Sequence, residues 1–157
     1  MLMTLPFLLI YFSLSALLVR ADIRDGLLPD RLLCPLLWTG LLYQLCLHPD
    51  FLPSAVVGAM TGYVGFAAIY WGYRLVCQRE GMGYGDVKYL AALGAWHGWC
   101  ALPILALVAA LMALLYLTGF SLINPDKGAL KNPLPFGPFL AAAGLCVGWE
   151  SLINFPL

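Results

Sequence analysis

Apolar residues fall along this chain in six long runs separated by short polar connections. The runs extend from about Leu2 to Ala21, Leu32 to Leu47, Pro53 to Cys77, Val87 to Trp99, Ala101 to Ile123 and Phe136 to Asn154. A helix that crosses a bilayer needs about 20 such residues, with a working range of about 17–25. The fourth run is the short one. At about 13 residues it has a length more typical of a buried or re-entrant piece.

Charge placement decides how the fourth run is read. The eight Lys and Arg residues fall in alternate connections. Arg20, Arg24 and Arg31 follow the first run, Arg74, Arg79 and Lys88 surround the third connection, and Lys127 and Lys131 follow the fifth. The connections "HPDFLP" and "WHGWCALP" have none. Lys and Arg collect on the cytoplasmic side of a membrane. The fourth run must therefore cross for Lys127 and Lys131 to share a side with the rest. The expected fold is an all-α bundle of six transmembrane helices with both termini outside the cytoplasm. Trp38, Trp71, Trp96 and Trp99 lie near segment ends, where interfacial aromatics are expected.

Composition agrees with a lipid solvent. Hydrophobic residues make up 62% of the chain and charged residues 10%, against about 45–50% and 25% in soluble domains. A globule of this make-up could not cover its surface with polar groups. The 157 residues are read as one membrane-embedded domain, 1–157. The opening "MLMTLPFLLIYFSLSALLV" lacks the basic start and small-residue cleavage site of a secretory signal, so it is read as a retained helix. A net charge of zero with no basic run argues against nucleic acid as a partner. Cys34, Cys46, Cys77, Cys100 and Cys146 are scattered without a C-x-x-C pair, and are read as small buried hydrophobes rather than as a disulfide or metal framework. No metal site and no cofactor are expected.

The acids are where chemistry could reside. Asp50 belongs to an external turn, Asp126 and Glu80 to loops, and Glu150 to the outer end of the last run. Asp22 and Asp86 are different, since each sits at the cytoplasmic margin of a membrane segment. A carboxylate at mid-bilayer is disfavoured by about 2.5–3.5 kcal/mol on insertion scales and is rarely idle. Two carboxyl groups converging from separate helices cannot both ionise comfortably and come to share one proton. The ionised partner then draws a proton from water while the protonated one donates to a carbonyl, as in aspartic proteases. That chemistry needs no histidine. His48 and His97 lie toward the outward side, where they are read as loop or interfacial side chains.

The stretch "EGMGYGDVKYLAALGAW" surrounds Asp86. Gly83 and Gly85 would let the backbone take positive φ and approach another chain closely. Asp25 is a weaker candidate beside the turn-like "DG", and Asp30 in "LPDRL" is a plausible helix cap. Lys88, two positions past Asp86, points to another face of the helix. It would snorkel to the interface or bias a carboxylate by its charge. Gly58, Gly62 and Gly65 fit either close helix packing or the general abundance of glycine in membrane helices.

Together, "RADIRDGLLPDRLLCPLLWTGLL" and "EGMGYGDVKYLAALGAWHGW" resemble the membrane domain of the type IV prepilin leader peptidases, the G-x-G-D aspartic proteases of the bacterial inner membrane. Members of that family carry an aspartate seven residues before Pro-Asp or Pro-Asn, then G-x-G-D-x-K. Asp22 and Pro29 have the first spacing, while Gly83, Gly85, Asp86 and Lys88 match the second motif. "NPLPFGPFLAAAG" also resembles a stretch in the family's last helices. The resemblance implies Asp22 and Asp86 as catalytic pair, with Gly83, Gly85 and Lys88 supporting the motif. It implies a prepilin or pseudopilin substrate with a basic leader, cleaved after a glycine at the cytoplasmic membrane face of a multi-pass inner-membrane enzyme whose other partner is lipid. Longer members add two C-x-x-C pairs and methylate the new amine with S-adenosylmethionine. Neither those pairs nor a glycine-rich nucleotide loop is seen here, so methylation is not expected.

Two other functions fit the same residues. Intramembrane acids also serve ion- or proton-coupled carriers, which favour repeated halves and ionisable groups near the midplane. A non-catalytic assembly component of a pilus or secretion apparatus could keep the fold. The retention of both aspartates and their place at one face rank the peptidase first.

Overall fold

A computed structural model describes residues 4–78, 83–123 and 135–153. Six α-helices account for nearly all of them: α1 (Thr4–Asp25), α2 (Asp30–Leu47), α3 (Leu52–Cys77), α4 (Tyr84–His97), α5 (Leu102–Ile123) and α6 (Gly137–Ile153). Short 3-10 turns, Pro49–Phe51 and Trp99–Ala101, lead into α3 and α5. Each apolar run of the sequence thus becomes one helix. By length and apolar character, three stretches can cross a membrane: Thr4–Asp25, Pro49–Cys77 and Trp99–Leu122. Arg79, Glu80, Asp126, Lys127 and Lys131 lie outside the described residues.

Helix α4 is the axis of the bundle. Asp86, Val87 and every residue from Tyr89 to His97 are buried, a pattern that periodic amphipathicity could not produce. Its 14 residues span about 21 Å at 1.5 Å per residue. The other helices pack around it, so its shortness reflects burial within protein. Its partners explain the register. Gly58 and Gly62 of α3 lie against the backbone of Gly94 and Leu90, and the Tyr70 and Tyr84 rings meet at 5.3 Å, so α3 and α4 run antiparallel. The Trp96 indole N–H donates to the Leu36 carbonyl at 2.9 Å, and the Gln44 amide donates to the Trp96 carbonyl at 2.8 Å, which tie α2 to α4. Close packing is therefore the role of Gly58 and Gly62, whereas Gly65 faces open space.

The outer surface is apolar. Leu9, Val64 and Leu115 are 66%, 63% and 71% exposed, and a surface of that kind is compatible with lipid rather than water. Several side chains sit elsewhere than the sequence suggests. The five cysteines occupy this exposed apolar surface and are not in the core. Trp96 is not interfacial, because its ring fills the space between α1, α2 and α4 against Tyr11 and Tyr43. His97 is also buried, 3.4 Å from the Tyr11 hydroxyl and packed against Gly148. Trp38, Trp71 and Trp99 are exposed, as interfacial side chains would be.

Candidate active site

Helix α1 presents one buried stripe, Thr4, Tyr11, Ser15, Leu18 and Asp22. The spacing of three, four and seven residues keeps these on one face, and that face meets α4. Apolar periodicity ends near Ala21, yet the helix continues for one more turn. Gly26 terminates it at φ +62°, a left-handed conformation open to glycine, with its N–H on the Asp22 carbonyl at 2.9 Å. Asp22 is thereby held inside the last helical turn with its side chain turned inward, 6% exposed.

Asp86 is placed by the start of α4. The helix begins at Tyr84, earlier than its apolar run, with Gly83 as N-cap. Asp86 falls in the first turn, where its amide donates to the Gly83 carbonyl at 3.1 Å and its carboxylate meets the positive end of the helix. It is 5% exposed, and its Oδ1 has no hydrogen-bond partner among the described residues.

Antiparallel α1 and α4 bring the two acids to the same end of the bundle, near enough for their charges to interact. A third element closes the site. Gly137, the first residue of α6, donates its backbone N–H to Asp22 Oδ2 at 2.8 Å. A Cβ on Gly137 would lie 2.7 Å from that oxygen, so the contact needs glycine. Sequence reasoning assigned no role to Gly137, although the segment containing it had been recognised as family-like. Nor did it find Ser15 and Tyr89, which share the buried seam. Their signal was positional, since Ser15 stands seven residues before Asp22 and Tyr89 three after Asp86.

The supporting motif residues act differently from expectation. Gly83 has an extended backbone at φ −67° and Gly85 is helical, so neither supplies positive φ. Gly85 instead makes room, since a Cβ there would sit 2.7 Å from Leu28 Cβ. At Gly83 the corresponding approach, 3.5 Å to Asp86 Oδ2, is an ordinary contact. Lys88 is held by Asp30, its Nζ lying 2.7 and 2.8 Å from the two carboxylate oxygens. Asp30 is therefore a partner of α4 rather than the N-cap of α2, a position taken by Pro29. Asp25 is exposed and lies 3.9 Å from Arg24, outside the buried cluster. Among the described residues, no three His, Cys, Asp or Glu side chains are grouped to hold a metal ion.

The type IV leader peptidase family matches residues 8–118. The chain is 60% identical to leader peptidase HopD of Salmonella typhimurium, over 99% of each chain. It is 57% identical to leader peptidase HopD of Escherichia coli, over 96% of each. Similarity to a prepilin leader peptidase/N-methyltransferase of Aeromonas salmonicida is 47%, across 96% of this chain and 49% of that protein. No solved structure matches. A match of this length, joined to near end-to-end likeness, settles the relationship: the chain belongs to the type IV leader peptidase family.

Proposed function

We propose that Asp22 and Asp86 form the catalytic pair of a leader peptidase that removes the basic leader of a type IV prepilin or pseudopilin. The observation that carries this is the convergence of two buried carboxyl groups from separate helices at one end of the bundle. Each acid has its own helical support, and one is fixed by an amide of a third helix. Names of relatives supply the substrate class, since those matched are called leader or prepilin leader peptidases.

The chemistry follows from one ionised and one protonated carboxyl group. The ionised one accepts a proton from water as its oxygen attacks the scissile carbonyl carbon. The protonated one donates to the carbonyl oxygen, giving a neutral tetrahedral diol. Return of a proton to the amide nitrogen breaks the C–N bond and releases the leader acid and the new amine. The Gly137 N–H competes for one lone pair of Asp22 Oδ2 and leaves Oδ1 of both aspartates for water and substrate. Gly85, through the space it leaves beside Leu28, and Lys88, through its pair with Asp30, keep the start of α4 close to its neighbours.

The same reading sets the protein in the bacterial inner membrane as one embedded domain of six crossings. The site then faces the cytoplasm and both termini face outward, with α4 shielded from lipid by the other helices. Exposed apolar side chains around the bundle and basic residues near the site's end of α1 to α4 support that orientation. Carrier chemistry draws less support, because the paired acids lie at helix ends rather than midway along them.

Purified protein in lipid, incubated with an epitope-tagged prepilin, tests the proposal. The expected product is shorter by the leader alone, with its new terminus immediately after the leader's glycine. An unchanged substrate mass, or a cut elsewhere, would refute it.

A further inference from the structure

The seam between α1 and α4 holds more polar atoms than two aspartates account for. Ser15 lies two turns from Asp22 on the same face of α1, and Tyr89 one turn from Asp86 on the same face of α4. Tyr89 is fully buried and Ser15 nearly so. Ser15 Oγ, Tyr89 Oη and Asp86 Oδ1 are the buried side-chain oxygens that find no hydrogen-bond partner among the described residues. The two hydroxyls face each other across the seam closely enough to interact, short of good hydrogen-bond geometry, and Tyr89 lies within electrostatic reach of Asp22.

Packing does not explain that hydroxyl. Phenylalanine would fill nearly the same volume without burying an unpaired polar group, which costs stability. Other buried polar side chains of α4 are satisfied or stacked, as Trp96 is by Leu36. Among the described residues, the unpaired side-chain oxygens all lie along the α1/α4 seam that carries the two acids, where a reacting substrate would supply or rearrange partners.

We propose that Tyr89 is a positioning residue of the proteolytic site: with a peptide engaged, its hydroxyl, backed by Ser15, donates a hydrogen bond to the carboxyl pair. This rests on the reading of Asp22 and Asp86 as the catalytic pair. Gly137 then steadies Asp22 from the side of α6, and Tyr89 steadies the pair from within the bundle. Because a hydroxyl can donate and accept at once, Ser15 can feed Tyr89 while Tyr89 serves the acids.

The test uses full-length protein in lipid, with a tagged prepilin and the variants Tyr89→Phe, Ser15→Ala, Asp22→Asn and Asp86→Asn. Tyr89→Phe is expected to lower kcat about tenfold, the worth of one hydrogen bond to a charged group, with KM within about twofold of the parent. Its Tm should equal or exceed the parent's, since an unpaired buried hydroxyl has been removed. Ser15→Ala should show a smaller loss that adds nothing in the double variant. A parental kcat for Tyr89→Phe would overturn the inference while leaving the aspartate pair intact. So would a lowered Tm with raised KM, or failure to accumulate, since either makes the hydroxyl structural. Cleavage by Asp22→Asn or Asp86→Asn would overturn this inference and the reading beneath it together.

Discussion

Gly137 gives its backbone N–H to Asp22 Oδ2 at 2.8 Å, joining residues 115 positions apart in sequence. The bond fixes one carboxylate against the start of α6, where the helix dipole also favours negative charge. It joins the last helix to the proposed site.

Substitution at that contact should therefore be felt in catalysis. A Cβ at Gly137 would lie 2.7 Å from Asp22 Oδ2 and 3.3 Å from its Cβ, so Gly137→Ala must displace the carboxylate. Displacement of a catalytic group by about 1 Å can cost on the order of 10²-fold in rate. Gly83→Ala meets only a 3.5 Å contact and should lose far less. Initial rates of prepilin cleavage compare the two, and equal rates for both variants would remove Gly137 from the site.

The α3/α4 contact predicts a separate class of defect. Gly58 and Gly94 touch backbone to backbone, so a side chain at either forces the helices apart. Overpacking of this kind costs about 1–3 kcal/mol. Gly58→Leu should lower the unfolding midpoint in detergent or lipid, while Gly65→Ala, in open space, should leave it unchanged.

Lys88 and Asp30 make a surface ion pair at 2.7 Å, with side chains 35% and 60% exposed. Pairs so accessible contribute about 0.2–1 kcal/mol. Lys88→Met is thus expected to retain cleavage within a few-fold, with a small loss of stability. The charge-swapped pair Asp30→Lys/Lys88→Asp should recover most of that loss in a double-mutant cycle. A drop to background cleavage for Lys88→Met would assign the ammonium to the chemistry itself.

Much of this was legible in the chain. Apolar runs set all six helices, because the length of an apolar stretch is a one-dimensional property. Helix ends were less so. The last turn of α1 carries charged residues, and only the Gly26 stop and the inward seat of Asp22 explain it. Motif spacing pointed to Asp22 and Asp86, but the partner of Asp22 is a backbone N–H, which every residue except proline possesses and no composition reveals. Trp96 and His97 were misplaced for a related reason. Aromatic and imidazole groups suit both an interface and a core, and the surrounding Tyr11, Tyr43 and Gly148 choose between them only in three dimensions. The positive φ expected at Gly83 and Gly85 is absent: Gly85 leaves space beside Leu28, while Gly83 makes only an ordinary contact with Asp86, and such proximity is not written in the sequence.

The proposed chemistry requires Asp22 and Asp86 to act as one unit, and single-turnover cleavage of a tagged prepilin by Asp22→Asn, Asp86→Asn and the double variant measures that directly. Groups that act as a unit are not additive, so each single variant should fall by at least about 10²–10⁴-fold, to the same floor as the double, while Asp25→Asn stays near the parent. Residual cleavage by either single variant well above that floor would contradict the shared role.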